Sequence, residues 1–522
     1  MKQFRLRDFF IGLSGLLIIT ASSMYVALRM GALPWPTVFV TVVSMAVLSK
    51  FKDSTIQEIS VTHTMMSSGS MVAGALAFTI PGLWILDPNA DVPFVSVLVM
   101  TVSGAVLGTV FSSVFRKYLT EDERIAFPIG LAAYQTLVTG LERKKQSVKL
   151  SISMLFSIVF TTLRDFFSLI PSAFTVFKGS MYVPELSIWV SPMALAIGAI
   201  IGKTGALIWL AGALAGYLVI TPAGLACGFF SSMAAADSFR QNLGIGLMLG
   251  TGAGILVKAL FGIVKNRKAG KKIGFEKIRA GLVSVFCVTV VMTLFTELSF
   301  VQALLSVAGI FIVTLLSGLL TGQSGVNPME IFGILVMLAV SLLVKTDLPS
   351  KFIIAGLAAV SCGLCGDVMN DLKSGSLVKT RPEEQLFAEG IGGIIGAVIS
   401  VFALFAMKEA FGGFGTELLP APQATGVASL ANGMGNTKVL VAGAVIGCIF
   451  YLSGLPVSTA GLGLYLSSSI SFAVGLGAVI SMLFRKTKKA TENDVNVVAS
   501  GFLGGEGISG VIFAIVRMIA KV

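Results

Sequence analysis

The chain has 522 residues, of which 55% are hydrophobic and only 12% are charged, and its mean hydropathy is +0.91. Soluble domains carry roughly 25% charged residues, so this composition excludes a soluble fold and predicts a lipid bilayer as the surroundings. The net charge of +12 lies largely in short loops between apolar runs, which favours a role in membrane topology and predicts no nucleic-acid partner.

The first half of the chain is predicted to cross the membrane repeatedly, because a bilayer core of about 30 Å needs about 20 apolar residues per helix. The opening MKQFRLRDFF places three basic side chains before an apolar run that has no clear cleavage site. We therefore expect a retained first helix with a cytoplasmic N-terminus. A shorter segment at 125–140 is expected to enter and leave on one side. The predicted spans are 9–28, 35–49, 59–86, 92–115, 148–176, 186–202, 204–222 and 240–264.

The basic segment KNRKAGKKIGFEK, residues 265–277, lies close to the midpoint of the chain and is interpreted as a cytoplasmic linker. It separates an N-terminal transmembrane half, 1–264, from a C-terminal half, 278–522. The expected fold class is an all-α integral membrane protein with about 16 transmembrane helices and short re-entrant segments. The spans of the second half are predicted at 278–296, 301–320, 328–344, 352–370, 386–407, 438–454, 456–484 (two spans) and 495–520, with a short segment at 420–433.

The two halves resemble each other in the order of several segments. FPIGLAAYQTLVTG (127–140) parallels LPAPQATGVASLANG (419–433), and GIGLMLGTGAG (244–254) parallels ASGFLGGEGIS (499–509). If the span at 278–296 is a lone connector, the second half is inverted, and loops that hold 26 of the 38 Lys and Arg residues fall on one side. This distribution satisfies the positive-inside rule and predicts an inverted internal repeat.

The first polar cluster lies in the predicted third span. A charged side chain at the centre of a bilayer costs about 2.5–3.5 kcal/mol, so polar residues there need a reason. The hydroxyl groups around Gly69 suggest a helix that lines a wet cavity and is broken near this glycine, and His63, the only histidine, could shuttle protons. An interfacial position with hydrogen bonds between helices is the alternative. The candidates here are Gln57, Glu58, His63, Ser67 and Ser68.

The second cluster lies between residues 362 and 393. Asp367, Asn370 and Asp371 recur at three- and four-residue spacing and can therefore share one face of a helix, with Lys373 following. Such a face could bind a cationic group or transfer a proton, or it could be a helix end exposed to water. The pair Cys362-x-x-Cys365 has no second pair and no histidine nearby, so neither a metal site nor a cofactor is predicted.

The other candidates are more scattered. The break at Asn327-Pro328 groups polar side chains and could free backbone carbonyls for a substrate or ion, although a plain loop explains it equally well. Arg164 and Asp165 are adjacent and cannot share a helix face, so we expect each to have its own partner elsewhere. The remaining candidates are Gln323, Asn327, Glu330, Tyr134, Gln135, Gln423 and Glu506, of which Glu506 is the best isolated protonatable carboxylate.

One run carries a resemblance to a known family. GDVMNDLKSGSLVKTRPEEQ is similar to the signature of the oligopeptide transporter (OPT) family, in a pattern carried by Gly366, Asp367, Asp371, Leu372, Lys373, Gly375, Pro382 and Gln385. The resemblance extends over almost the whole chain. It implies secondary active transport, typically proton-coupled, of small peptides or of metal bound to peptide-like chelators. The chain has Asn327-Pro328-Met329 where the eukaryotic peptide-transporting branch has Asn-Pro-Gly, which points to a prokaryotic plasma membrane.

The expected function is therefore a secondary active transporter whose partners are a small peptide or metal chelate, protons and the lipid bilayer, in a chain that could also form a homo-oligomer. A passive channel or pore is the alternative; it should show rings of like residues around an axis. A membrane enzyme would need a catalytic dyad or a metal set, and no such set is recognisable, so enzyme activity is not expected.

Overall fold

The computed structural model describes residues 4–31, 37–120, 125, 127–138, 143–265, 275–324, 327–432, 436–455, 457–486 and 491–520. The described chain is helical almost throughout and divides into two compact units. Unit 1 comprises Met1–Ser147, Ala259–Asn432 and Ala514–Val522, and unit 2 comprises Val148–Lys258 and Gly433–Phe513. Each unit thus contains segments from both predicted halves, whose boundaries at 264 and 278 stay a prediction.

Unit 1 is built around the helix α15 (Leu348–Leu377), whose apolar stretch is completely buried and against which α3, α5, α13 and α14 pack. Its helices are α1 (Leu6–Met30), α2 (Thr37–Leu48), α3 (Ile56–Ala77), α4 (Pro81–Leu86), α5 (Phe94–Thr120), α6 (Pro128–Val138), α12 (Phe275–Phe295), α13 (Phe300–Ser324), α14 (Met329–Leu343), α15 (Leu348–Leu377), α16 (Pro382–Phe411) and α17 (Pro422–Asn432).

Unit 2 contains several interrupted helices and a short hairpin. Its elements are α7 (Arg143–Asp165), which begins just before the unit, β1 (Ala173–Phe177), β2 (Leu186–Trp189), α8 (Pro192–Ile200), α9 (Gly202–Leu214), a π-helical turn (Ala215–Ile220), α10 (Thr221–Ala226), α11 (Met233–Lys265), α18 (Thr437–Leu452), α19 (Ser458–Tyr465), α20 (Ser468–Lys486) and α21 (Glu492–Ala520). Helix α8 packs against α20, and α9 packs against both α19 and α20.

Within the described residues, nine helical segments are long and apolar enough to cross a membrane. This makes the chain a multi-pass membrane protein, as expected, whereas the count of about 16 transmembrane helices and the inverted repeat remain predictions. The nine segments are Leu6–Met30, Ile56–Leu86, Phe94–Lys117, Lys203–Ala226, Phe300–Gly322, Leu348–Leu377, Pro382–Phe411, Ser468–Lys486 and Asp494–Phe513.

The expectation of an all-α chain is wrong between residues 166 and 190. Helix α7 ends at Asp165, and β1 pairs antiparallel with β2, where predicted spans had been placed at 148–176 and 186–202. Proline at 171 and 184 interrupts the helix, and β-branched and aromatic residues favour the strands that follow. Apolar content alone does not distinguish such a hairpin from the end of a span.

Helix α3 begins at a capping box and continues without interruption past Gly69. The Thr55 hydroxyl accepts a hydrogen bond from the Glu58 backbone N–H, and the Glu58 carboxylate accepts one from the Thr55 N–H. The expected break near Gly69 is therefore wrong. This glycine allows close helix packing instead, because a Cβ there would overlap Thr20 Oγ1 and lie 3.2 Å from the Gly396 Cα on α16.

Replacement of Gly396 by alanine is expected to destabilise the α3–α16 contact. A Cβ at Gly396 would overlap the Gly69 Cα, and backbone cannot move aside as a flexible side chain can. We expect a loss of about 1–3 kcal/mol in the free energy of unfolding in detergent micelles. The matched control is Gly390→Ala on the same helix, whose Cβ would meet only Thr109 Cγ2 at 3.4 Å. Equal stability of the two variants would contradict the packing argument.

The glycines that the sequence comparison aligned between the halves have the same packing role in unit 2. A Cβ at Gly246 or Gly250 of α11 would overlap the backbone of α18, and a Cβ at Gly501 or Gly505 of α21 would crowd the backbone of α7. Both pairs therefore bring two helices into backbone contact, as expected of glycines four residues apart.

Candidate functional site

The first candidate site is an acid–histidine cluster formed by His63 and Ser67 of α3, Asp367 and Asp371 of α15, and Glu389 of α16. All five side chains are buried, with exposed fractions of 1–4%. The two aspartates lie one helical turn apart and so face the same direction. Three carboxyl groups and an imidazole thus meet among helices that are apolar over most of their length.

The cluster contains two pairs. His63 Nδ1 lies 3.7 Å from Asp371 Oδ2, which also accepts a hydrogen bond of 3.3 Å from the Ser67 hydroxyl. The second pair consists of the carboxyl groups of Asp367 and Glu389, which interact with each other. Among the described residues, Asp367 Oδ2 and both Glu389 oxygens have no donor. Two ionised carboxylates in this position would repel each other, whereas one shared proton would supply the missing hydrogen.

Glu389 was not among the candidates from the sequence, although it follows the signature run directly. It is a lone acid at the start of the EGIGGIIGAVISV stretch of α16, whose other charged residues lie near the ends of the helix. An isolated carboxylate in an apolar span is the signal that should have selected it.

Gln385 ties together the three helices that carry the cluster. Its side-chain amide donates to the Asp371 carbonyl oxygen at 2.8 Å and lies 3.4 Å from Thr64 Oγ1 of α3. Gly375 faces this amide, and any Cβ there would collide with it. Two other candidates connect neighbouring elements at the same end: Gln57 donates to the Val378 carbonyl at 2.8 Å, and Lys373 to the Thr120 carbonyl at 3.3 Å.

Asn370 and Asn327 anchor helices to α15. Asn370 Oδ1 accepts a hydrogen bond of 3.2 Å from the Gly130 N–H in the first turn of α6. Asn327 Nδ2 donates to the Cys362 carbonyl at 2.8 Å, and its Oδ1 accepts from the Ser317 hydroxyl at 2.9 Å. Each side-chain amide thus bonds to a backbone group of another element, as expected of residues that orient helices.

The remaining candidates lie apart from the cluster. Tyr134 packs in an apolar group with Met45, Leu48, Ile59, Leu137 and Val378. Ser68 donates to the Met65 carbonyl of its own helix, and Gln423 donates to the Gly31 carbonyl. Glu330 lies half-buried in the first turn of α14. The side chains of Gln135 and Gln323 lie outside the described residues.

Glu58 belongs to a separate ion-pair network at the beginning of α1 and α3. Its carboxylate pairs with Arg5 Nε at 2.6 Å and with Arg7 Nη2 at 3.4 Å. Both arginines also pair with Asp53 in the loop before α3. Hydrogen bonds from Arg7 and then from Arg5 lower the pKa of Asp53. Glu58 is therefore already bonded to two cations and a helix N-terminus.

Asp53→Asn is expected to reduce stability at neutral pH but not in acid. Because the pKa of Asp53 is lower in the folded protein than its unfolded value of about 3.9, its contribution is present above that value and is lost as the pH falls through the folded pKa. The difference in unfolding temperature between the parent and the variant should thus shrink as the pH falls below about 4. A difference that does not change with pH would argue against an ionic role for Asp53.

The second candidate site surrounds Glu506 of α21 in unit 2. Arg164 Nη2 donates to Glu506 Oε1 at 2.9 Å, the Ser191 hydroxyl lies 2.9–3.0 Å from both carboxylate oxygens, and the Met193 N–H donates to Oε2 at 2.8 Å. Glu506 is therefore not an isolated carboxylate.

The expectation of separate partners is right for Arg164, which pairs with Glu506, and wrong for Asp165, which pairs with Arg164 itself. Arg164 Nε and Nη2 each donate to an Asp165 oxygen at 2.6 Å, and Nη1 donates to the Val190 carbonyl at 2.6 Å. Asp165 is the last residue of α7, and its side chain can turn back to the guanidinium because the helix stops there.

Neither site resembles a metal centre. In the part of the chain that the structure describes, no three His, Cys, Asp or Glu side chains are arranged to hold a metal ion. Cys362 and Cys365 are buried free thiols.

Comparison with known proteins identifies the family. The family model described as OPT oligopeptide transporter protein matches residues 3–266 and 264–517. The chain belongs to the OPT family. The acid–histidine cluster and the Glu506 site both lie within the segments that match, and the resemblance inferred from the signature run is confirmed.

Two relatives of this OPT family member are similar to different extents. A Haemophilus influenzae protein provisionally named an oligopeptide transporter is 24% identical, and the alignment covers 94% of this chain and 92% of the relative. A Saccharomyces cerevisiae protein with the same provisional name is 26% identical over 37% of this chain and 30% of its own length. The bacterial relative thus matches this OPT chain over nearly its full length.

Proposed function

We propose that this OPT family member is a secondary active transporter that couples the movement of protons to the passage of small oligopeptides or peptide-like metal chelates across the plasma membrane. The observation that carries the proposal is the acid–histidine cluster, buried among three helices long enough to cross the bilayer. Family membership supports the solute class. Buried ionisable groups in membrane spans mark ion pathways and proton relays.

The depth of the cluster supports a role in proton transfer. His63 is the eighth residue of α3, Glu389 is the eighth residue of α16, and Asp371 lies six residues before the end of α15. At 1.5 Å per residue, the cluster lies about 10 Å from these three helix ends. A proton taken up there has left bulk water but is still close to one side of the membrane.

Charge supports a cytoplasmic location for that side. Arg5, Arg7 and Lys50 lie beside the start of α3, and Lys379 and Arg381 lie in the turn between α15 and α16. By the positive-inside rule these ends face the cytoplasm, so the N-terminus is cytoplasmic. With the basic segment 265–277 on the same side and the span at 278–296 as a lone connector, the C-terminal half would be inverted relative to the N-terminal half.

Uptake by proteoliposomes tests the proposal. Labelled tripeptides and labelled peptide-like metal chelates are offered to vesicles with and without an imposed pH gradient. We expect saturable uptake that the gradient accelerates, together with acidification of the vesicle lumen that depends on the solute. A flux that does not saturate and does not change with the pH gradient would instead indicate a passive pore.

A further inference from the structure

The Glu506 site has the construction of a general carboxylate receptor. Three different donors converge on one carboxylate: the guanidinium of Arg164, the hydroxyl of Ser191 and the backbone N–H of Met193. Glu506 has a side-chain exposure of 0% and Arg164 one of 1%. Hydrogen bonds that include a charged partner are about twice as strong as neutral ones, so this arrangement is selective for an anion.

The short helix α8 contributes to this selectivity. It has nine residues and begins at Pro192, and Ser191 is its N-cap. The first N–H groups of a helix carry a partial positive charge and are not used within the helix, so they bind anions. In many transporters the N-termini of such short or broken helices face the anionic group of the substrate.

The donors and the carboxylate come from different parts of the chain. Arg164 lies on α7 and Ser191 and Met193 lie at the start of α8, whereas Glu506 lies on α21 next to Gly505 and Gly507. All three donors of the receptor thus lie outside α21, and this helix supplies only Glu506, the carboxylate that they now bind. A small shift of this helix would leave three donors that another carboxylate could occupy.

We propose that the site formed by Arg164, Ser191 and Met193 binds the carboxylate group of the transported solute in exchange for Glu506, which takes up a proton as it leaves. The exchange rests on the proposed function insofar as the solute is a peptide. It conserves the charge of the site, because one carboxylate replaces another. Glu506 released in its ionised form would be a buried charge with no cation beside it, and a proton on its carboxyl group removes that cost.

The surrounding charges are compatible with this exchange. Among the described residues, Arg164 is the charged group bonded to Glu506, and Asp165 is bonded to the same guanidinium. The Asp165 side chain is 32% exposed, so the buried guanidinium of Arg164 is bonded to a residue that reaches solvent. The ring of Trp189 also packs over the guanidinium, with the ring centroid 5.3 Å from Arg164 Cζ. Because Glu506 takes up a proton when the solute binds, the exchange corresponds to a symport in which one proton enters together with one carboxylate-bearing solute.

Chemical rescue tests the receptor without reference to a peptide. In purified full-length Glu506→Ala, sodium acetate should raise the unfolding temperature in a saturable manner, whereas acetamide and an equal concentration of sodium chloride should not. Glu492→Ala serves as the control, since it removes an exposed carboxylate from the same helix α21. A folded Glu506→Ala protein that acetate fails to stabilise overturns the proposal.

Peptide binding provides the second measurement and uses Glu506→Gln, which keeps the volume of the side chain. Trialanine should bind this variant about tenfold or more tightly than trialanine amide, because the amide lacks the charge that Arg164 requires. In the parent protein the same preference should grow as the pH falls, and in Glu506→Gln this change with pH should be smaller. Equal affinity of acid and amide for Glu506→Gln overturns the proposal even if Glu506→Ala does not fold. If acetate stabilises Glu506→Ala and neither peptide binds, the carboxylate receptor stands and the peptide substrate of the proposed function fails.

Discussion

Asp371→Asn is expected to abolish most of the acceleration that a pH gradient gives to solute uptake. Asp371 connects the two parts of the acid–histidine cluster, since its carboxylate faces His63 and Ser67 while Asp367 lies one turn away on α15. Asparagine keeps the size of the side chain but cannot take up a proton. Typical coupling free energies of 1–3 kcal/mol correspond to a loss of about 5- to 150-fold in the acceleration.

The measurement separates loss of coupling from loss of folding. Exchange of labelled for unlabelled solute in the absence of a gradient should continue in Asp371→Asn, because this exchange needs the binding site but no net proton movement. Asp347→Asn is the matched control, because Asp347 is the exposed N-cap residue at the opposite end of the same helix. If Asp371→Asn, Asp367→Asn and Glu389→Gln all retain uptake driven by the gradient, the cluster is not the coupling site.

Much of this cluster could be predicted from sequence because its residues violate the apolar pattern of their helices. Asp367 and Asp371 are candidates because of their helical spacing and because a charged side chain in a bilayer is costly. Both lie in the cluster, as does the single histidine. Periodicity indicates which residues share a helix face but not which helices meet. The contact of Asp367 with Glu389 depends on how α15 packs against α16, and no local pattern contains that information.

Polar residues that orient helices cannot be separated from functional ones by composition. Asn327 and Asn370 are candidates for the same reason as the acids, whereas Gln385 is a candidate through the family signature. Each bonds to a backbone group of another element. The Gly130 N–H is a free group in the first turn of α6 and needs such a partner in a membrane, where water cannot replace it. The Cys362 and Asp371 carbonyls lie within α15 and accept an additional hydrogen bond. Helix-orienting and functional polar residues are equally buried and equally costly to place in a membrane. Only the group that the side chain bonds to distinguishes the two kinds of residue.

The hairpin in unit 2 shows a second limit of the sequence analysis. Residues 173–177 and 186–189 are apolar enough to be part of a span, and their β-branched and aromatic side chains fit either a buried helix or a strand. The prolines near them were the signal for a break. Apolar content by itself favours a span here, because the other apolar runs of the chain are helices.

Arg164→Leu is expected to cause the largest loss of stability among the substitutions considered. It leaves Glu506 as a buried carboxylate without a cation, and breaking a buried ion pair in this way costs about 3–5 kcal/mol. The free energy of unfolding in mixed micelles measures the effect. Arg485→Leu is the control, because Arg485 pairs with Glu492, whose side chain is 73% exposed, and such a pair contributes about 0–1 kcal/mol.

A second substitution shows whether the loss comes from the unpaired charge. Glu506→Gln added to Arg164→Leu removes the negative charge and keeps an oxygen that can accept from Ser191 and from the Met193 N–H. The double variant is therefore expected to be more stable than Arg164→Leu alone, although Glu506→Gln by itself is destabilising. Coupling energies of about 0.5–3 kcal/mol are usual for residues in direct contact. If the two losses simply add, Arg164 acts through packing against Trp189 and not through its charge, and the carboxylate receptor loses its main cation.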